Sequence, residues 1–513
     1  MDRLRIKIFR WKYLFIAIPL VVYLTSLTQY WICSNDSAMY IYQGRAFLQT
    51  GIFMQNGQAR LVASPGFPAL LAGIMSIFGE SNYFAMQLGM LLCGLAGLAV
   101  VYRQRWIWTS RFQARLVVFA TAMSFYFYHN TRRVLTEAPS FLLFWVIVAL
   151  LRAAKTNKWC LAGAALAGYA AIVMRVPAVL PIAAVGAAAL LERQLISEKF
   201  RWRFFGSGVL AMGLGAGWFH VKLIAQAYQQ AAPYAPAPSR LFRFTDAWFV
   251  IVDNIGRLFS DLALAQRNGA LGWAIIALMT LAAWRCYKHR GRGLVFPAVF
   301  LVIYAALMIS AMNSWTMMPR YWFYVLPFVI YYIFKSFELL GSWLTKLARL
   351  SRPMLPLPKF AALLIVSMLL IQLPLIVRNN AAALASWGGW QEQFYKKHNR
   401  GRDAEIMALA GELAGEKSRQ WIAASEKSSI LIAFSGRYVH SLRKKPMEVI
   451  RSRQWQEHPP EVVLLRRPKP KDAIGLQKFR QLIGIFGNNK NWTLDKETKR
   501  WLVFRRKMMV RPK

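Results

Sequence analysis

Residues 13–51 read YLFIAIPLVVYLTSLTQYWICSNDSAMYIYQGRAFLQTG, and this stretch decides what kind of molecule the chain is. Residues 13–32 carry no charge and are long enough to cross a hydrocarbon layer about 30 Å thick as a helix. Asp36 comes four residues later, at the mouth of that span, in a chain with only 22 acidic residues among 513. An ionisable group so close to the hydrocarbon is expensive to place, so its chemistry has to be explained.

The same pattern recurs along the sequence. With 57% hydrophobic and 14% aromatic residues in repeated apolar runs, the chain has no water-soluble reading and is expected to be a multi-span α-helical membrane protein. The formal charge of +43 does not imply nucleic acid, because the Lys and Arg residues punctuate the apolar runs rather than cluster on one stripe. Cys33, Cys93, Cys160 and Cys286 are scattered without a CxxC pair, so neither a disulfide framework nor a zinc site follows.

The basic opening MDRLRIKIFRWK precedes a span longer than a signal-peptide core, which reads as an uncleaved anchor with a cytoplasmic N-terminus in a plasma (inner) membrane. Further spans are expected at about 83–102, 114–129, 137–152, 159–175, 177–192, 204–226, 270–287, 294–313, 321–340 and 360–378, roughly eleven in all. Alternation then puts RQRWIWTSRFQAR, RAAKTNK, ERQLISEKFRWR, RCYKHRGR and the basic 335–359 segment on the inner side, as the positive-inside rule requires. The segment 63–79, short and with two prolines, reads as a helix at or dipping into the outer face. The expected organisation is a membrane domain over 1–378, with its first outer loop at 30–82, and an extracytoplasmic α/β domain over 379–513. The second carries a net charge of about +16. In it EVVLLRR (461–467) and SSILIAF (428–434) read as strands, 400–415 and LQKFRQLIGIF (476–486) as helices, and 491–506 as a hairpin.

This threading leaves Arg45, Arg60, Arg132, Arg133, Arg175, Arg240, Arg243, Arg257, Arg267 and Arg320 outside, against the charge bias. An outward Arg near the bilayer either snorkels to headgroups or joins others around an anionic ligand. Two acids sit closest to span ends on that side. Asp36 has the alternative of a surface loop acid; Glu137, followed by Pro139, has the alternative of complementing a helix N-terminus. Apolar walls raise a carboxylate's basicity and guanidinium groups lower it, so either could be tuned as a general base.

Four stretches carry a resemblance. NDSAMYIYQGRAFLQTGIF with ASPGFPALLAGIMSIFGES, TRRVLTEAPSFLLFWV, LAGAALAGYAAIVMRVPAVLPI and PRYWFYVLPFVIYYI occur in register over about residues 10–340. They resemble the GT-C membrane glycosyltransferases, in particular the group of protein O-mannosyltransferase-like and aminoarabinose-transferase-like enzymes. The resemblance implies transfer of a sugar from a polyprenyl-phosphate donor to an extracytoplasmic glycan, lipid or protein acceptor, with inversion and with Asp36 as general base. The His or second acid frequent near that group's proline pair is replaced here by VAS, so no ligand set for a divalent metal is supported.

Physical chemistry asks for the same parts. Deprotonating an acceptor hydroxyl as it attacks an anomeric carbon needs a carboxylate. A departing phosphate gathers negative charge that preplaced guanidinium groups stabilise. Asp36 and Glu137 are the candidate catalytic acids, and Arg45, Arg60, Arg132, Arg133, Arg175, Arg320 and Tyr321 the candidate substrate-binding residues. No P-loop and no dinucleotide fingerprint appears, which suits a lipid-linked donor. A polytopic transporter or a non-enzymatic envelope glycan assembly protein are the alternatives; paired repeats and broken mid-membrane helices, the marks of many transporters, are not apparent.

Overall fold

The computed structural model describes residues 2–32, 34–55, 58–59, 64–108, 110–191, 295–311, 319–347, 356–387, 462–467, 473–489, 491–497 and 501–506. Shorter pieces are described at 203, 207–208, 252, 272–277, 279–281, 422–424, 439–441, 450 and 460. The expected spans at 204–226 and most of 270–287, the expected elements at 400–415 and 428–434, and the candidate residue Arg60 lie outside them.

Packing divides the chain into two units: residues 1–29, 62–67 and 83–384, and residues 30–61, 68–82 and 385–513. The first is helical. Its elements are α1 (Asp2–Leu24), α4 (Tyr83–Arg103), α5 (Arg111–Met123), α6 (Phe125–Thr131), α7 (Glu137–Ala153), α8 (Trp159–Met174), α9 (Val179–Leu191), α10 (Val295–Ala311), α11 (Leu326–Leu347) and α12 (Leu357–Ser386). Among the described residues, three stretches are long and apolar enough to cross a bilayer: Tyr83–Arg103, Arg320–Lys346 and Leu357–Ser386. Shorter apolar helices cover Tyr13–Leu24, Trp159–Met174, Val179–Leu191 and Phe296–Met308.

Close helix approach in this unit is a matter of small residues meeting large ones. A Cβ added to Gly97 of α4 would fall 2.5 Å from the Phe141 ring of α7, and one added to Gly94 would fall 2.4 Å from the Thr131 methyl at the end of α6. Aromatic rings fill the centre: Phe127 stacks on Phe323 at 5.0 Å between centroids, and Trp145 lies 4.8 Å from Phe328. Such pairs add to the burial of apolar area.

One expected span is corrected. The run 114–129 is two helices, α5 and α6, separated at Ser124, whose ψ of 131° is extended. Its hydroxyl caps the next turn by accepting from Phe127 N at 3.3 Å, while Gln372 of α12 accepts from Phe125 N at 2.6 Å. The break survives in an apolar setting because side chains satisfy the backbone donors it frees.

In the second unit α2 (Asn35–Thr50) follows the first span, and α3 (Gly66–Phe78) covers most of the segment expected at the outer face, from Pro68 onward within this unit. Between them β1 (Met54–Gln55) and β2 (Gln58–Ala59) form a short antiparallel pair. Gly44 is where α2 meets α3: a Cβ there would approach the Pro68 carbonyl oxygen to 3.0 Å.

The C-terminal part of this unit is a five-stranded mixed sheet in the order β4-β3-β5-β7-β6, formed by β3 (Ile422–Ala424), β4 (Val439–Ser441), β5 (Val462–Arg466), β6 (Trp492–Glu497) and β7 (Trp501–Arg506). The first three strands run parallel, and β7 pairs antiparallel with both β5 and β6. Helix α13 (Ala473–Gly487) sets Leu482 and Phe486 against Val463, Leu465, Trp492, Leu502 and Phe504. The expected strand at 461–467, the helix at 476–486 and the hairpin at 491–506 are all present.

Candidate active site

The candidate residues fall into groups, two within the helical unit and one on α2. The first group is built on the α7 N-terminus. Glu137 is its first residue, 1% exposed, and Pro139 sits in the first turn, where its missing N–H would have no helical partner anyway. Arg175 follows the end of α8 with an extended backbone, φ −160° and ψ 114°, and Pro177, two residues on, has no N–H with which to continue the helix. That geometry brings the Arg175 guanidinium to Glu137, donating to Oε1 at 2.8 Å with the arginine only 6% exposed. Thr136 Oγ1 reaches the other carboxylate oxygen at 3.4 Å.

The Arg-Tyr step before α11 completes this group. Residues Pro319–Val325 form a 3-10 turn, which lets Tyr321 point its ring at Arg175 while its carbonyl accepts from Tyr304 Oη. The Arg175 guanidinium lies 4.8 Å from the Tyr321 ring centroid and that of Arg320 5.6 Å. Two cations thus lie against one aromatic ring. The carboxylate largely neutralises Arg175, whereas Arg320 is half-buried at the edge of the group.

The second group surrounds Arg132, at the C-terminal end of α6 and 2% exposed. Its Nη1 donates to Tyr128 Oη at 3.0 Å, and its guanidinium lies 5.1 Å from the Tyr128 ring centroid. Among the described residues no carboxylate pairs with it, and Nε has no hydrogen-bond partner. Tyr128 Oη in turn donates to Asn380 Oδ1 of α12 at 2.5 Å. Arg133, in the turn before α7, is half-buried. Tyr128 and Asn380 were not among the residues singled out from the sequence. The signal for Asn380 was there: an Asn pair in an apolar helix must find partners.

On α2, Asp36 occupies the first turn and is half-buried. Ser34 and Ser37 cap the helix reciprocally, each side chain accepting from the other's backbone N–H at 3.1 Å, and Trp31 Nε1 donates to Ser37 Oγ at 3.0 Å. The cap fixes the backbone from which Asp36 projects. Arg45, two and a half turns on, donates through Nε and Nη2 to the Glu80 carbonyl oxygen at 3.3 and 3.2 Å. It ties α2 to the turn after α3.

Among the described residues no three His, Cys, Asp or Glu side chains converge to hold an ion, and no step below is routed through one. The fold has counterparts among solved structures. ArnT from Cupriavidus metallidurans in the apo state is 13% identical, with 97% of this chain and 98% of that one covered at a TM-score of 0.60. ArnT bound to undecaprenyl phosphate is 15% identical over 96% and 97% of the two chains, with a TM-score of 0.57. The Archaeoglobus fulgidus oligosaccharyltransferase in complex with Zn and sulfate is 11% identical over 88% and 68%, with a TM-score of 0.50. No curated protein matches at the level of sequence. Residues 62–215 match the family model described as dolichyl-phosphate-mannose-protein mannosyltransferase. The chain thus shares the fold of ArnT over nearly its whole length, and residues 62–215 are similar to the mannosyltransferase family model.

Proposed function

We propose that the chain transfers a sugar from a polyprenyl-phosphate carrier to an acceptor hydroxyl on the extracytoplasmic side, with inversion at the anomeric carbon. The observation that carries this reading is Arg132, a guanidinium almost wholly removed from solvent with no carboxylate beside it among the described residues. Burying an uncompensated charge costs several kcal/mol, on the order of the net stability of a domain, so an anionic partner is called for. A lipid-linked phosphate supplies one at this depth, and the likeness to ArnT bound to undecaprenyl phosphate supports that class of ligand.

In this reading Asp36 takes the proton of the acceptor hydroxyl as its oxygen bonds to the anomeric carbon. The bond from that carbon to the carrier oxygen breaks on the opposite face, and its electron pair stays with the phosphate, whose charge the arginines stabilise. Arg132 and Arg320 suit this role better than Arg175 and Arg45, which are engaged by Glu137 and by the Glu80 carbonyl. Glu137 is a positioning residue here: it holds Arg175 against Tyr321.

Asp36→Asn keeps the shape of the carboxylate but accepts no proton, so sugar transfer from polyprenyl-phosphate mannose in nanodiscs should fall roughly 100-fold with donor binding unchanged. Full activity in that variant removes Asp36 from catalysis.

A further inference from the structure

The puzzle of Arg132 is what keeps a guanidinium charged and in place without an acid. The hydrogen bonds around it have only one consistent direction. Asn380 Nδ2 donates to Val22 O at 2.8 Å and to Thr25 Oγ1 at 2.9 Å, which fixes the orientation of its amide and leaves Oδ1 as an acceptor. Tyr128 Oη must therefore give its proton to Asn380 and accept from Arg132 Nη1. Thr25 Oγ1 passes its own proton on to Val21 O at 2.8 Å.

Val21 and Val22 lie in the last turn of α1, whose carbonyls carry the negative end of the helix dipole; Val21 O also accepts from Thr25 N at 3.0 Å. The chain of donors runs Arg132, Tyr128, Asn380, Thr25 and ends on those carbonyls, each link polarising the next. It joins α6, α12 and α1 through three side chains between the arginine and the helix end.

We infer that Tyr128 and Asn380 are positioning residues that wire the C-terminal dipole of α1 to Arg132, so that its charge is stabilised by dipoles and stays available to the carrier phosphate. Arg175 is the contrast: its charge is matched by Glu137 at 2.8 Å, leaving less attraction for a second anion. The inference rests on the reading of Arg132 as a phosphate ligand, and its test separates the two.

The measurement is binding of undecaprenyl phosphate, with undecaprenol as the phosphate-free control, to the full chain in nanodiscs. Arg132→Gln should weaken undecaprenyl phosphate tenfold or more. Tyr128→Phe, which removes one hydroxyl beneath the guanidinium, should weaken it about tenfold, the scale of one charge-assisted hydrogen bond. Asn380→Leu should weaken it about threefold, by freeing the Tyr128 hydroxyl to turn. None of the three should change undecaprenol binding. Tyr128→Phe added to Arg132→Gln should cause no further loss, because a positioning residue acts only through the group it positions.

Unchanged phosphate binding in Arg132→Gln overturns the phosphate reading. Weakened binding there with normal binding in Tyr128→Phe overturns the relay alone, as do additive losses in the double variant or an equal loss for undecaprenol. If Tyr128→Phe does not fold, Thr25→Val, isosteric at the far end of the chain, takes its place. A loss confined to the phosphate ligand supports the relay, and none overturns it.

Discussion

At the scale of single residues, the Glu137–Arg175 pair and Arg132 make opposite demands. The pair is buried on both sides, so removing one partner strands the other. Glu137→Gln should lower stability by about 3–5 kcal/mol, read as a drop in thermal midpoint in detergent, and a compensating Arg175→Met should recover much of it. If Glu137→Gln is as stable as the parent, the pair is not buried as described. Both residues stood out in the sequence, Glu137 as an acid at a span end and Arg175 as an outward arginine. That they would meet each other was not legible, because the partner of a buried charge is set by the packing of segments thirty-eight residues apart. Asp36 stood out in the sequence because an acid at a span end is expensive to place. Tyr128 did not, lying within four aromatics in a row inside the expected span 114–129.

At the scale of elements, the approach of α4 to α6 and α7 hangs on Gly94 and Gly97. Gly94→Val should push Thr131 away and with it the neighbouring Arg132, so undecaprenyl phosphate binding should weaken several-fold alongside about 1–3 kcal/mol of lost stability. Gly73→Ala, on α3 with nothing within 4 Å of the added methyl, should be neutral or slightly stabilising. Equal effects in these two variants, measured by thermal unfolding, would mean that close packing at α4 is not what places α6. Periodicity and apolar run length located α4, α7, α8 and α9 to within a few residues. They failed at Ser124, because an apolar run of the right length hides a break whose freed donors are met by Gln372, a residue distant in sequence. In the sheet, the longer strands β5, β6 and β7 were readable from β-branched and aromatic runs. Strands β3 and β4, three residues each, carry too short a pattern.

At the scale of the whole molecule, charge bias along the chain remains the argument for orientation. A reporter fused after residue 387 should report an extracytoplasmic position; alkaline phosphatase activity checks this, and activity of a cytoplasmic reporter at that site reverses the threading. The fold class was legible from composition and span-length runs alone, whereas the division into packed units was not, since the first outer loop groups with residues 385–513 despite the sequence distance. The hydrogen bond between Tyr128 and Asn380 spans 252 residues, and this has a consequence for biosynthesis. A ribosome that has just released α6 still has about half of the chain to make, roughly 10–50 s of translation, before α12 can deliver Asn380. Until then the hydroxyl under Arg132 has no fixed acceptor. On the phosphate reading proposed above, the nascent protein would therefore hold a carrier lipid poorly until α12 arrives. A product truncated before α12 should be inert toward donor rather than a leaky hydrolase of it.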